Sequence, residues 1–333
     1  MISKAFSRRR VLTGAATVTA AAILPRASLA DWRPTETIRI IVPAAAGGTT
    51  DVMGRLLAAH LQSVWGQSAV VENRSGGGGT IGTVEVIRQK GDGHTILIGN
   101  PGPNAIAYSI FRNLNYKADQ LQAVSNLIRT PNIVSAHPST GIKSIAELIA
   151  YIKANPDKLN YASSGVGQSP HLTGAWFLQL TGLKMVHVPF RGAGPALQAA
   201  LAGDIQILFD NLFPSLPQTQ EGKLNALCVT TPERSAVAPD IPTMRESAPE
   251  LAKFDVSSWF GVFLPKAAPA PIVDALNTEI KAMLEREDVK KTIAAMGARP
   301  DWGTPQQYSS FVQAETVKFA EIIKREGLQM DVN

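Results

Sequence analysis

Ile38-Arg39-Ile40-Ile41-Val42-Pro43-Ala44-Ala45-Ala46-Gly47-Gly48-Thr49-Thr50-Asp51 decides the fold: a short apolar strand runs into a Gly-rich turn and then into a helix. Met53, Leu57, Leu61 and Val64 recur at helical spacing until Gly66 stops the helix. Ala69-Val70-Val71 and Thr95-Ile96-Leu97-Ile98 supply the next strands, separated by a segment from Thr80 that suits a helix. Together these make one βαβαβ unit, the pattern of parallel strands covered by helices on both faces.

A second unit of the same plan begins after Pro138. Ser144 and Glu147 have the spacing of a capping box for a helix over Ile145 to Ala154, which ends ahead of Pro156. Strands are expected at Leu159 to Ala162, Met185 to Val188, Ile205 to Phe209 and Leu224 to Val229. Ser169-Pro170 and Gly194-Pro195 read as helix starts, because proline fits a first turn where its missing N–H is not needed. Two extended stretches, Leu127 to Ser135 and Val256 to Leu264, flank this unit and read as two crossings between lobes. Helices from Pro271 to about Glu285 and from Pro305 to about Glu326 then fold back onto the first lobe. Two lobes about a hinge enclose a cleft. The expected division is residues 31–130 with 260–333 for lobe I and 131–259 for lobe II.

The first thirty residues read as an export signal: a basic start, a mild apolar run from Val11 to Leu24 and a small-x-small cleavage site at Ser28-Leu29-Ala30. Ser7-Arg8-Arg9-Arg10-Val11-Leu12 carries a twin-arginine pair, which favours the folded-protein export route over the general secretory one. Cleavage places the mature start at Asp31 and the protein in the periplasm. About 300 residues then remain, more than one compact core of ordinary size organises and suited to two lobes. The formal charge of +5 leaves with Lys4, Arg8, Arg9, Arg10 and Arg26, so the nucleic-acid reading of a high pI loses its support. Cys228 is the only cysteine and sits in an apolar run, which excludes an intrachain disulfide and marks a buried thiol.

Open α/β sheets hold ligands beyond the carboxyl ends of their strands. Here the turns at that position share one character: Ala44-Ala45-Ala46-Gly47-Gly48-Thr49-Thr50-Asp51, Asn100-Pro101-Gly102-Pro103-Asn104, Ser163-Ser164-Gly165-Val166-Gly167-Gln168-Ser169 and Arg191-Gly192-Ala193-Gly194 are small, Gly-rich and mostly uncharged. Such loops let backbone N–H groups approach an anion, and several lead into helix amino termini. Asp51 and Ser169 read as helix N-caps that also line the cleft. Asp210, just after the strand ending at Phe209, reads either as a ligand contact or as a turn aspartate. Arg191 reads either as a carboxylate partner or as an exposed interlobe residue.

Enzyme chemistry finds little support. Gly77-x-Gly79-x-x-Gly82 follows a strand as a dinucleotide fingerprint does, yet Asn100 to Asn104 stand where the acidic ribose partner belongs. Gly167-Gln168-Ser169-Pro170-His171 approaches a nucleophile elbow but lacks the final glycine. His60, His94, His137, His171 and His187 have no metal-ligand spacing. A periplasmic enzyme and a solute sensor feeding a kinase stand as the rival functions.

Ile38 to Asp51, Val71-Glu72-Asn73-Arg74 with its Gly-rich turn, Leu159-Asn160-Tyr161-Ala162-Ser163-Ser164-Gly165, His187-Val188-Pro189-Phe190-Arg191-Gly192-Ala193-Gly194-Pro195-Ala196, Phe209-Asp210-Asn211 and Ser258-Trp259-Phe260-Gly261 resemble, in combination, the Bug-type binding proteins of tripartite tricarboxylate transporters. The resemblance spans essentially the whole mature chain. It implies a type II periplasmic-binding-protein (Venus-flytrap) α/β fold, two doubly wound lobes joined by two hinge crossings, with no cofactor and no metal. It further implies a small carboxylate solute, from a family range of tricarboxylates, dicarboxylates, acidic amino acids and aromatic acids, passed to an integral-membrane permease. A di- or tricarboxylate or aromatic acid is expected over an amino acid, because Asp210 belongs to the family pattern and does not by itself signal an ammonium. A monomer is expected because a hinge protein keeps both lobe rims free to close. Carried over by motif, the carboxylate is held by Ala44, Ala45, Ala46, Gly47, Gly48, Thr50 and Asp51 and by Ser163, Ser164, Gly165 and Ser169. Asn100, Gly102, Asn104, His171 and Asp210 surround the remaining space. The chain departs from the family pattern at Ala44, where an aromatic residue is usual, and at Pro101-Gly102-Pro103-Asn104, where a Ser/Thr-rich turn is frequent.

Overall fold

A computed structural model describes residues 1–2 and 32–331. The cleavage site, the twin-arginine pair and Asp31 lie outside the described residues. The first unit comprises β1 (Ile38–Val42), α1 (Thr49–Trp65), β2 (Ala69–Asn73), α2 (Thr80–Ile87), β3 (Thr95–Gly99) and a short α3 (Ala107–Ile110). Gly66 ends α1 in the left-handed conformation, as expected of a glycine stop. β1 lies parallel to β2 on one side and to β3 on the other.

β4 (Leu121–Ala136) leads to the second unit: α4 (Ile145–Ala154), β5 (Asn160–Ser163), α5 (Ser169–Thr181), β6 (Val186–Pro189), α6 (Ala193–Ala202), β7 (Ile207–Asn211), α7 (Leu212–Gln220) and β8 (Asn225–Val229). β5 lies parallel to β6 and β7, so the order β6-β5-β7 repeats the plan of β2-β1-β3. Ser144 does accept from the Glu147 N–H, at 3.1 Å. The other half of the box is displaced by one residue, because the Glu147 carboxylate takes the Lys143 N–H at 2.7 Å instead.

The return is made by β9 (Ser257–Pro265), followed by α8 (Ala270–Glu285), α9 (Glu287–Ala295), β10 (Arg299–Pro300) and α10 (Pro305–Arg325). β4 pairs antiparallel with β9 from Leu121 to Pro131 and with β7 from Asn132 to Ala136, so one long strand serves both sheets. The two expected crossings are therefore β4 and β9 lying side by side, with Pro131 opposite Ser257 where the strand changes partner. A residue without an N–H suits a place where the ladder breaks. α8 packs on α1 and α10 on β4 and α3, which returns the carboxy-terminal helices to the first unit. Sequence reading missed α9 and β10, a nine-residue helix and a two-residue strand.

Apolar residues of β1, α1, β3, β9 and α8 form one core, and Phe177, Phe209, Trp176 and Phe254 anchor another that runs into Trp259 and Phe319. Cys228 is fully buried with its Sγ 3.7 Å from the Met244 sulfur, and burial pushes its thiol well above the usual range. A thiol reagent is expected to modify the native protein negligibly and to reach one label per chain after unfolding in guanidinium, read by mass spectrometry.

Candidate functional site

Both units place their central strand between two parallel neighbours, and the turns leaving β1, β3, β5, β6 and β7 meet at one cavity. Those are the switch points of the two sheets, facing each other across the crossing strands. The lining includes Ala44, Gly48, Thr49, Thr50, Asn100 and Pro101 from the first unit, and Ser164, Gln168, Ser169, Gly192, Ala193 and Asn211 from the second. Ser258 and Phe260 of β9 form its floor. About 390 Å³ of space, part of it open to solvent, lies between these residues.

Helix amino termini dominate the walls. α1 starts behind Gly48, α5 behind Gln168 and α6 behind Gly192, and Pro101 precedes a single wide turn over Gly102–Ile106. At α1, α5 and α6 no cap side chain accepts from the first turn, which leaves amino-terminal N–H groups open to an acceptor in the cavity, whereas the Gly102 N–H of the wide turn is taken by Asn100 Oδ1. Thr49, 1% exposed, keeps a buried hydroxyl with no partner among the described residues. Among the described residues no Lys, Arg, Asp or Glu lines the space. An anion there meets aligned dipoles and hydroxyls and no formal positive charge.

A polar network underlies the floor. Asn211 Nδ2 donates to Asn132 Oδ1 at 2.8 Å and to Ser258 Oγ at 2.6 Å, while Ser258 Oγ donates to Asn132 Oδ1 at 2.8 Å. Ser169 and Ser258 hydroxyls lie 2.6 Å apart, and Asn132 Nδ2 donates to Thr173 Oγ1 at 3.0 Å. Asn132 lies on β4 and Ser258 on β9, so both crossing strands are tied to the groups that face the cavity.

Several expected residues line this cavity: Ala44, Gly48, Thr50, Asn100, Ser164 and Ser169. Others hold its walls in place. Asp51 is not an N-cap; it lies in the first turn of α1, where one carboxylate oxygen accepts from the Gly47 N–H at 3.1 Å and from Arg55 at 3.0 Å, and the other from Asn73 at 3.0 Å. These bonds hold its carboxyl below the usual range against an opposing desolvation penalty. Ser169 is the first helical residue rather than the cap. Asn104 takes the Asn100 N–H at 3.1 Å, and Asn100 Oδ1 takes the Gly102 N–H at 3.0 Å, so this turn is braced by its own side chains.

Ser163 and His171 stand behind their loop. Ser163 Oγ lies 2.7 Å from His187 Nε2, and the His187 ring stacks between His171 at 4.5 Å and Tyr161 at 4.7 Å. His171 Nδ1 accepts from the Gly167 N–H at 3.2 Å. Burial drives both imidazoles below their ordinary value, His171 to about 3 and His187 to about 4. Asp210 lies within β7, not after it; it is fully buried, with one oxygen accepting from Ser215 at 2.9 Å and the other without a partner among the described residues. Alternation along the strand gives the cavity Asn211 instead. Ala45 and Gly165 lie at the seam between the lobes, where the Ala45 N–H donates to the Arg191 carbonyl at 3.1 Å and Gly165 faces Gly78. The cavity residues absent from the expected set, Thr49, Gln168, Asn211 and Ser258 above all, stood within quoted loops or motifs, but nothing local showed which side chain of each would turn inward.

Two open α/β lobes joined by paired crossing strands, with ligand-sized space at their facing switch points, define a solute-binding protein of the periplasmic type. The tripartite tricarboxylate transporter family receptor signature matches residues 53–328. BugT of Bordetella pertussis is 34% identical over 303 residues, covering 90% of this chain and 92% of BugT. Among solved structures, R. palustris Rpa4515 with adipate superposes with a TM-score of 0.85 at 34% identity, covering 89% of this chain and 99% of that one. MatC from Rhodopseudomonas palustris with bound malate gives 0.82 at 32% identity, covering 87% and 99%. This chain belongs to the tripartite tricarboxylate transporter receptor family.

Proposed function

We propose that the protein is a periplasmic receptor that closes two lobes, residues 31–130 with 260–333 and residues 131–259, on one small carboxylate-bearing solute. A di- or tricarboxylate or an aromatic acid fits this reading, and the receptor, a monomer, hands it to an integral-membrane permease of the tripartite type. The observation that carries the reading is the convergence of uncapped helix amino termini from both lobes on a cavity without a charged side chain. A carboxylate takes several charge-assisted bonds there, and micromolar binding asks for about 8 kcal/mol net. Adipate and malate in two relatives support the ligand class. No reaction step is part of the proposal: the Ser169 hydroxyl is engaged by Ser258, not by a histidine. No described helix is long and apolar enough to cross a membrane.

The test is thermal unfolding of the mature protein against tricarboxylates, dicarboxylates, aromatic acids and acidic amino acids. A ligand at about 100 times its Kd adds about 2.7 kcal/mol and raises the midpoint visibly. Silence across the panel, after refolding to remove copurified solute, would defeat the receptor reading. Thr49→Val keeps the shape and removes the unpartnered hydroxyl; the matching acid is expected to bind about tenfold more weakly by calorimetry, with the unfolding midpoint of the free protein unchanged or raised.

A further inference from the structure

Gln168 is the residue just ahead of α5, yet its side chain does not cap that helix. It reaches across the seam into the first lobe, where its amide Nε2 donates to the Gly78 carbonyl at 2.8 Å. The amide lies in a slot that two turns leave open for want of side chains: a Cβ built on Gly102 falls 2.6 Å from Gln168 Oε1, and one built on Gly79 falls 3.2 Å from Nε2. Beside the cavity described above lies a second chamber, whose lining includes Phe111 and Phe190 and the exposed Ile81, Pro189 and Arg191, so it opens to solvent. Ala44, Ser164 and Gln168 line both spaces and so form the neck between them. Ala44 and Ser164 are short. Gln168, 9% exposed, is the one of the three whose side chain is long enough to fill the neck in one rotamer and clear it in another.

Resting on the reading of the cavity as the solute site, we propose that Gln168 is a gate: fastened to the Gly78 carbonyl it closes the neck over the solute, and turned out of its slot it lets the solute pass. A single neutral hydrogen bond is a weak fastening, and side chains change rotamer far faster than lobes move, so the gate governs the rates of entry and release more than the affinity. The slot offers a way to open the gate from the opposite lobe. A methyl added at Gly102 meets only the Gln168 side chain, the free end of a flexible group, and Gly102 is not among the glycines with a left-handed φ. Gly102→Ala therefore evicts the amide without straining the backbone.

Entry and release of radiolabelled malate, adipate, citrate and benzoate, followed by rapid filtration with an unlabelled chase, test this. For whichever of these acids the native protein binds, Gln168→Ala is expected to raise both rates about tenfold or more while Kd stays within about threefold of the native value. Gly102→Ala is expected to do the same, and the double variant to match either single one, because the second change finds the neck already open. Unfolding midpoints verify that the variants are folded. Unchanged rates in either single variant, or effects that add in the double variant, overturn the gate. So does a rise in Kd equal to the rise in release with entry unchanged, which marks an ordinary contact with the solute. In each of these cases the receptor reading stands. If none of these acids binds the native protein, the carboxylate reading of the cavity fails and the gate falls with it.

Discussion

Gly78→Ala is expected to weaken solute binding by about 100-fold, about 3 kcal/mol, without unfolding the protein. Gly78 sits in the turn after β2, and a Cβ built there overlaps the Val166 carbonyl oxygen of the opposite lobe. Backbone cannot yield as a flexible side chain can, so the added methyl holds the lobes apart where the Gln168 side-chain amide otherwise donates to the Gly78 carbonyl at 2.8 Å. Gly78 also has φ +63°, where alanine costs about 1–2 kcal/mol whatever surrounds it. Gly66→Ala separates the two effects, because Gly66 has φ +70° and nothing within 4 Å of its built Cβ. Both variants should lose similar stability in urea, but only Gly78→Ala should lose binding by calorimetry and the ligand-induced compaction seen by small-angle scattering. Normal affinity in Gly78→Ala would mean that the solute is held without this seam closing.

Stability is expected to depend on pH through buried His171 and Asp210 and half-buried His187, whose effects oppose one another. His171 and His187 titrate at about 3 and about 4 in the folded protein against about 6.5 unfolded. Their contribution is complete above about pH 6.5 and is lost as pH falls toward the folded values, by at most about 1.4 kcal/mol per unit for each. Asp210 is raised to about 7 by burial, so its contribution is complete below about 3.8 and is lost as pH rises to about 7. Between pH 4 and 6.5 two terms fall with acid and one rises, leaving a net loss on acidification near that of a single group. Asp210→Asn removes the opposing term. Urea unfolding across this range should then show a slope about twice as steep, and at pH 8 the variant should be more stable than the native protein by a few kcal/mol. An unchanged slope would mean that Asp210 is ionised in the fold, with its free oxygen solvated.

The succession of strands and helices was legible because periodicity, proline and glycine are local signals. Met53, Leu57 and Leu61 marked the buried face of α1, and Pro170 and Pro195 marked the starts of α5 and α6. The crossing strands were legible as extended stretches, but their pairing with each other, residue 131 against 257, was not. Pairing is a long-range event that leaves no mark on either segment alone.

The site divides in the same way. Which turns form it followed from the sequence alone: small, uncharged, Gly-rich turns at the carboxyl ends of strands are a chemical property of the chain, and they led to Ala44, Gly48, Thr50, Asn100, Ser164 and Ser169. Which side chain in each turn faces the solute was decided by tertiary structure. Helix phase gave the cavity Thr49 and sent Asp51 to bind Gly47, Arg55 and Asn73; strand alternation gave it Asn211 and buried Asp210; and β9 brought Ser258 from more than a hundred residues away in sequence beside Asn132. The physical reason is that a turn's composition is local, whereas a common void exists only once two sheets are in register and face each other across their crossing strands.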